Sequence, residues 1–217
     1  MRLARLNEKP EVFYSLQGEG AGAGCPAMFL RLAGCNLHCV WCDTKHAWMG
    51  GIECSPQEVA GLLACQSGWN RLVVTGGEPL MQAKELEELF SLLPKEVKIE
   101  VETNGSVEPT PALIERVMTW NVSPKLLHAR SGSGALILNA FRTLPNVWYK
   151  IVVRGEEDWA EVEALQLPRT RVMLMPCAAD RERYRALLPE VAQMCMRHGV
   201  RLSPRLHVEL WDTQLGC

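Results

Sequence analysis

No stretch of this sequence approaches the roughly 20 consecutive apolar residues that a membrane-spanning helix requires. The opening Met1-Arg2-Leu3-Ala4-Arg5-Leu6-Asn7-Glu8 contains no apolar run of the kind that forms a secretory signal. A cytoplasmic protein is therefore expected. The chain also lacks a strong charge of either sign. With 23 Lys and Arg against 25 Asp and Glu, its net charge is -2. A nucleic-acid groove thus has no electrostatic basis. Internal repeats and low-complexity segments are absent as well, which excludes solenoids and linker-like chains. Cysteine, by contrast, is plentiful. There are nine, an odd number, in a chain of 217 residues without an export signal. Metal binding or catalysis explains them better than a disulfide framework does.

The length suits a single domain with its own core, over residues 1–217. Short apolar runs alternate with helical patterns. Strands are predicted at 27–32, 72–75, 97–102, ending near 122, at 147–153 and at 172–175, and the segment 200–207 closes the series. Helices are predicted at 79–93, 111–118, 156–165 and 180–198, and one opens at Ser55-Pro56-Gln57-Glu58. There Ser55 caps, Pro56 takes the first helical position and Glu58 completes a capping box. Alternating strands and helices imply parallel βαβ units. About six strands are too few for a closed eightfold barrel, which takes about 250 residues. The expected fold is α/β, an open, partial (βα)6-type barrel. Five chemically suggestive segments fall just after strands, at the rim where parallel folds bind ligands. They are the cysteine loop at 35–44, Gly76-Gly77-Glu78, Thr103-Asn104-Gly105, Ser123-Pro124-Lys125 and Met175-Pro176.

Cys35, Cys39 and Cys42 are spaced C-x3-C-x2-C. Thiolates suit iron–sulfur clusters or zinc. A closed [4Fe-4S] site needs four cysteines, so three leave one iron open to a ligand. For zinc, His38 offers a fourth ligand, but it adjoins Cys39, adjacent residues seldom share one tetrahedral site, and zinc sites are usually built from two separated pairs. Thr75-Gly76-Gly77-Glu78-Pro79 lies between a strand and a helix, where a glycine pair permits close backbone approach to a ligand and Glu78 can accept hydrogen bonds near an ammonium group. Glu102 is placed to meet ribose hydroxyls. Each of these segments also reads as an ordinary turn. The remaining cysteines are irregularly spaced, and His46, His128 and His198 have no evident partners.

The C-x3-C-x2-C loop with Trp41 before its last cysteine resembles the radical S-adenosylmethionine (SAM) superfamily. Phe13-Tyr14-Ser15-Leu16-Gln17-Gly18-Glu19-Gly20, Phe29-Leu30-Arg31-Leu32-Ala33-Gly34 and Cys42-Asp43-Thr44 narrow the resemblance to the 7-carboxy-7-deazaguanine synthase family. It runs nearly end to end, from Phe13 to Leu202-Ser203-Pro204-Arg205-Leu206-His207.

That resemblance implies a [4Fe-4S] cluster on Cys35, Cys39 and Cys42, with SAM on the open iron and Mg²⁺ on Thr44. It implies that a 5′-deoxyadenosyl radical starts the ring contraction of 6-carboxytetrahydropterin, with loss of ammonia and regeneration of SAM. SAM contacts are implied for Trp41, Cys42, Asp43, Gly76, Gly77, Glu78, Glu102, Ser123, Pro124, Lys125, Met175 and Pro176. Leu16, Gln17, Gly18, Glu19, Arg31, Thr75, His207 and the carboxylate of Cys217 are implied for the pterin. An external electron donor and a homodimer belong to the same expectation. Two places depart from the pattern: Cys177-Ala178, where a more polar pair is expected, and the tail at 208–217, expected to order through Leu210, Trp211 and Leu215. A glycyl radical enzyme-activating enzyme and a non-enzymatic zinc-binding module remain as alternatives.

Overall fold

The computed structural model describes residues 1–129 and 137–217. Its main sheet is mostly parallel. Strands Pro26–Leu32, Arg71–Gly76, Lys98–Thr103, Thr119–Val122, Val147–Val153, Val172–Pro176 and Arg201–Leu202 lie side by side in chain order, all parallel. On the far side of Pro26–Leu32 the order continues antiparallel through Arg2–Leu3 to Ile52–Glu53. Among the described residues these outer strands do not pair with Arg201–Leu202, so the barrel stays open as expected.

Strand parity separates two faces. Leu30, Leu72, Val74, Ile99, Val101, Trp120, Tyr149, Ile151, Val153 and Leu174 join one apolar core with Val59, Leu63, Leu86, Leu89, Phe90, Phe141 and Val191 of the helices. The alternate positions carry Arg31, Thr75, Glu100, Glu102, Asn121 and Lys150. A strand covered on both faces usually reads as a continuous apolar run. Here the second face carries these polar groups beside a small apolar cluster of Ala27, Phe29 and Val73, and it faces the loop that follows an antiparallel strand missed in the sequence, Val12–Leu16.

The helix Pro56–Ala64 carries the capping box expected of it: Ser55 Oγ accepts from the Glu58 amide, and Glu58 accepts from the Ser55 amide. Other elements differ from expectation. The helix foreseen at 79–93 is a 3-10 turn, Pro79–Gln82, followed by an α-helix, Ala83–Leu92. Gln82 breaks it because its side-chain amide donates to the carbonyls of Arg2 and Ala33, and its backbone leaves helical geometry. Likewise 156–165 divides into a 3-10 turn, Glu156–Asp158, and a helix, Trp159–Ala164; Asp158 turns back to accept from the Arg154 amide. The helix Arg181–His198 begins on Asp180, which accepts from the Arg183 amide, and ends on Gly199 in the left-handed region. The closing segment is a two-residue strand and then the helix Leu206–Trp211, since Pro204 has no amide to extend the ladder. Among the described residues no helix is long and apolar enough to cross a membrane.

Candidate active site

A cavity of about 790 Å³ opens over the polar face and the ends of the parallel strands. Of the residues implicated by sequence, only Glu78, Pro124 and Pro176 are absent from its lining. Cys35, Cys39 and Cys42 all line it, with Gly76, Gly77, Asn104, Ser123, Lys125 and Met175.

The cysteine loop is held from several sides. The Leu37 amide donates to Cys35 Sγ at 3.4 Å, and Thr44 Oγ1 lies 3.6 Å from Cys42 Sγ. The Trp41 indole donates to His128 Nδ1 at 3.1 Å, so the His128 proton sits on Nε2, facing the Val152 carbonyl. His128, read as partnerless from sequence, thus steadies the loop. His46 and His198 also have partners, in Glu11 and Glu156. Burial, foremost, pushes the Cys35 thiol above its usual range, so an electropositive ligand is needed to hold it as thiolate.

The glycine pair has a different cause from the one expected. A Cβ on Gly77 would lie 2.0 Å from the Gly34 carbonyl oxygen, and one on Gly76 2.1 Å from that of Leu32. Both glycines let the chain pass close against the root of the cysteine loop. Glu78 is fully buried behind them. Its carboxylate accepts from Thr103 Oγ1, the Asn104 amide and the Leu80 amide, and burial pushes its pKa up. It therefore ties two rim loops together. Nearby, Lys125 donates to Ser123 Oγ at 2.7 Å and lies over the Trp41 ring.

Gln17, Gly18 and Glu19 cross the polar face. Gln17 donates to Glu100 at 2.8 Å and Glu102 at 3.2 Å. Glu100 also accepts from Asn121 and Arg71. Glu102 lies near the end of its strand, as expected, and accepts from Thr75 Oγ1 at 2.8 Å and from Lys150 at 3.3 Å. Glu19 accepts from Lys150 at 2.5 Å and Arg205 at 2.9 Å. Burial alone would raise the Glu19 carboxyl, but Lys150, Arg205 and His207 outweigh it and hold the pKa well below the usual range. A Cβ on Gly18 would meet His207 Nδ1 at 2.2 Å, so this loop and the last helix fit only through glycine. Burial lowers the His207 pKa against the pull of Glu19.

Arg31 donates through Nε to Glu11 at 2.7 Å and lines the cavity; among the described residues its terminal nitrogens make no hydrogen bond. Cys177 and Ala178 line the cavity, as does Cys217. The tail is anchored partly as expected, with Trp211 half-buried. Leu210 and Leu215 are half exposed, whereas Val208 is buried and Asp212 accepts from the Arg181 amide.

Lys150 and Arg205 went unrecognised in the sequence as site residues. Lys150 had a signal: it is a lone charge inside the apolar run Val147–Val153, at the parity opposite to Tyr149 and Ile151. Arg205 had none beyond its place in the Ser-Pro-Arg-Leu-His segment.

Three cysteine thiols, close-passing glycines and rim polar groups around one cavity fit a thiolate-held cluster with a small polar cofactor. The cavity is of ordinary size for such ligands. Among the described residues no three His, Cys, Asp or Glu converge as they would on a single metal ion. A cluster, whose thiolates bind separate irons, does not require that.

Residues 30–122 match the model of the Radical SAM superfamily. With the open parallel barrel and the three-cysteine loop at its rim, this defines a radical SAM protein, a class that implies a [4Fe-4S] cluster and SAM. The 7-carboxy-7-deazaguanine synthase of Pyrobaculum aerophilum is 41% identical over 213 residues, 95% of each chain. That of Hyperthermus butylicus is 34% identical over 215 residues, covering 91% of this chain and 90% of the relative. The crystal structure of QueE from Escherichia coli matches with a TM-score of 0.67 at 28% identity, over 88% of this chain and 90% of that one. The chain belongs to the 7-carboxy-7-deazaguanine synthase family. Streptococcus suis SuiB, at 12% identity and a TM-score of 0.54, shares the fold. The relatives favour neither the glycyl radical activase nor the zinc module.

Proposed function

We propose that the chain converts 6-carboxy-5,6,7,8-tetrahydropterin to 7-carboxy-7-deazaguanine with loss of ammonia. The observation that carries this reading is one cavity lined both by the three cysteines and by the Gln17–Glu19–Glu102–Lys150 hydrogen-bonded set. When bound, the cluster and SAM supply the carbon radical that takes a hydrogen atom from the substrate. Cys35, Cys39 and Cys42 bind the cluster. Trp41, Asp43, Gly76, Gly77, Glu102, Ser123, Lys125 and Met175 surround SAM, with Glu78, Pro124 and Pro176 supporting them from behind.

The pterin is a flat ring with an amide and amine edge and a carboxylate. Leu16, Gln17, Gly18, Glu19, Thr75 and His207 bind the ring, and Arg31 takes the carboxylate through its free terminal nitrogens. Support for this comes from unspent capacity. Each carboxylate oxygen has two lone pairs, so Glu19 can accept from the ring while holding Lys150 and Arg205. The planar Arg31 fork suits a carboxylate. Thr44 offers a hard oxygen to Mg²⁺, which usually keeps few protein ligands and takes the rest from substrate and water. Cys217 closes the cavity from the tail. A one-electron donor from outside the chain and a homodimeric assembly belong to this reading by family resemblance.

The test is anaerobic incubation of the reconstituted protein with SAM, a reductant, Mg²⁺ and the carboxypterin, followed by mass spectrometry. The expected product is lighter than the substrate by one ammonia. SAM cleavage without any change in the pterin would overturn the substrate assignment. Replacing any one of the three cysteines by Ala should abolish both reactions and lower the iron content.

A further inference from the structure

Arg205 has no part in the reading above beyond its bond to Glu19, yet among the described residues it touches more of the site than any other cation. It lies just before the helix Leu206–Trp211 and is 6% exposed. Its own amide is fixed, donating to the Tyr184 hydroxyl at 3.2 Å. The guanidinium then spends each nitrogen on a different chain segment. Nε donates to Glu19 Oε1 at 2.9 Å, on the loop after Val12–Leu16. One terminal nitrogen donates to the Ala178 carbonyl, just past the strand Val172–Pro176. The other donates to Asp43 Oδ2, between Cys42 and Thr44 on the cysteine loop.

We propose that Arg205 is a positioning residue that couples the two parts of the cavity, so that occupancy of the pterin site at Glu19 is felt at Asp43 and hence by Cys42 and Thr44. The proposal rests on the pterin reading of Glu19. Its physical basis is the rigidity of the guanidinium. Planar and permanently charged, it holds its acceptors in one mutual geometry, which a lysine ammonium on a flexible stem does not. Burial lends strength to the Arg205–Glu19 end, because charge-assisted hydrogen bonds weigh more where water is scarce, while Asp43 at the other end is more exposed. Without the cation, Glu19 and Asp43 would be left as like charges facing each other. A shift of Glu19 toward a ligand therefore moves the guanidinium, and Asp43 must follow or lose its partner. The Ala178 bond makes the segment after Val172–Pro176 the fixed point of this lever.

A merely structural arginine would lower stability without linking the two loops, and a comparison of backgrounds separates the cases. Pterin affinity is measured by equilibrium binding to cluster-loaded, SAM-bound protein without reductant, so that no turnover occurs. In the Arg205 protein, Asp43→Asn should weaken pterin binding about tenfold, within the usual range of site-to-site coupling. In an Arg205→Met background the same substitution should change it less than twofold. Equal effects in both backgrounds overturn the coupling. A spectroscopic arm is independent of affinity. Pterin should perturb the electron paramagnetic resonance spectrum of the reduced, SAM-free cluster in the Arg205 protein and leave it unchanged in Arg205→Lys; an equal perturbation in both also overturns it. Should Arg205→Met not fold, the Glu19→Gln and Asp43→Asn cycle in the Arg205 protein decides. Coupling predicts that the double variant loses about as much affinity as the worse single one, and strict additivity overturns it. Failure of the unsubstituted protein to bind the pterin at all would instead strike the reading of the Glu19 site, an outcome distinct from equal effects in the two backgrounds.

Discussion

Lys150 Nζ stands 2.5 Å from Glu19 Oε2, although 131 residues separate them in the chain. The same ammonium lies 3.3 Å from Glu102 Oε1. It is the cation on the polar face that lets a glutamate loop rest against a glutamate-bearing strand. Burial alone would lower its pKa, but the two carboxylates outweigh this and hold it above the usual lysine range.

Lys150→Met should therefore destabilise the protein by about 3–5 kcal/mol, the usual cost of removing one partner from a buried charge set. Urea unfolding measures the loss. Adding Glu19→Gln to the same chain should recover part of it, because one uncompensated charge is removed. No recovery in the double variant would show that Lys150 acts through packing alone.

Glu19 gives stability a definite acid limb. Its ordinary carboxyl value is 4.5, and the folded value lies well below it. The unfolded chain thus takes up a proton near pH 4.5 while the native carboxylate stays ionised. Stability from this group is complete above that value and is lost as pH falls toward the folded value. Glu19→Gln should flatten the fall in urea midpoint between about pH 5 and pH 3. An equally steep limb in the variant would assign it to other carboxylates.

Gly77→Ala should cost about 1–3 kcal/mol, the scale of overpacking a close contact, because its Cβ would meet the Gly34 carbonyl. The push falls beside Cys35, so iron incorporation should drop together with melting temperature. Gly61→Ala is the control. It lies in the helix Pro56–Ala64 with nothing within 4 Å of its Cβ, so it should gain about 0.5–1 kcal/mol. Normal iron content in Gly77→Ala would remove the glycine pair from cluster positioning.

Thr44→Ala should abolish stimulation by Mg²⁺ and leave SAM binding intact, since Thr44 is assigned to the metal and not to SAM. Titrating Mg²⁺ against turnover, with SAM affinity measured separately, checks both halves. An unchanged Mg²⁺ response would move the metal to other oxygens.

Removing 215–217 should slow pterin turnover while SAM cleavage without pterin continues, because Cys217 lines the cavity and the helix anchor at Val208 and Asp212 remains. Product analysis and 5′-deoxyadenosine release report the two reactions. A truncated protein with full turnover would take the tail out of the site.

Features of short range were legible in the residues alone. The three-cysteine spacing is local, and so are the capping box at Ser55 and Glu58, the cap at Asp180 and the stop at Gly199. Alternation of strands and helices sufficed for the open parallel barrel, because successive βαβ units add neighbours in chain order. Which charges meet follows from the fold. Parity alone turns Lys150 and Glu102 to the same side as Asn121, and their partners depend on which loop covers that face. That Glu78 accepts from Thr103 and Asn104 depends on how two rim loops meet. The glycine pair marks close approach of another chain, and sequence cannot say whether that chain is ligand or protein. Arg205 reaches acceptors 27, 162 and 186 residues away. Such contacts leave no periodic trace, because a charged side chain's partner is set by strand order and loop path, and neither is written in the residues beside it.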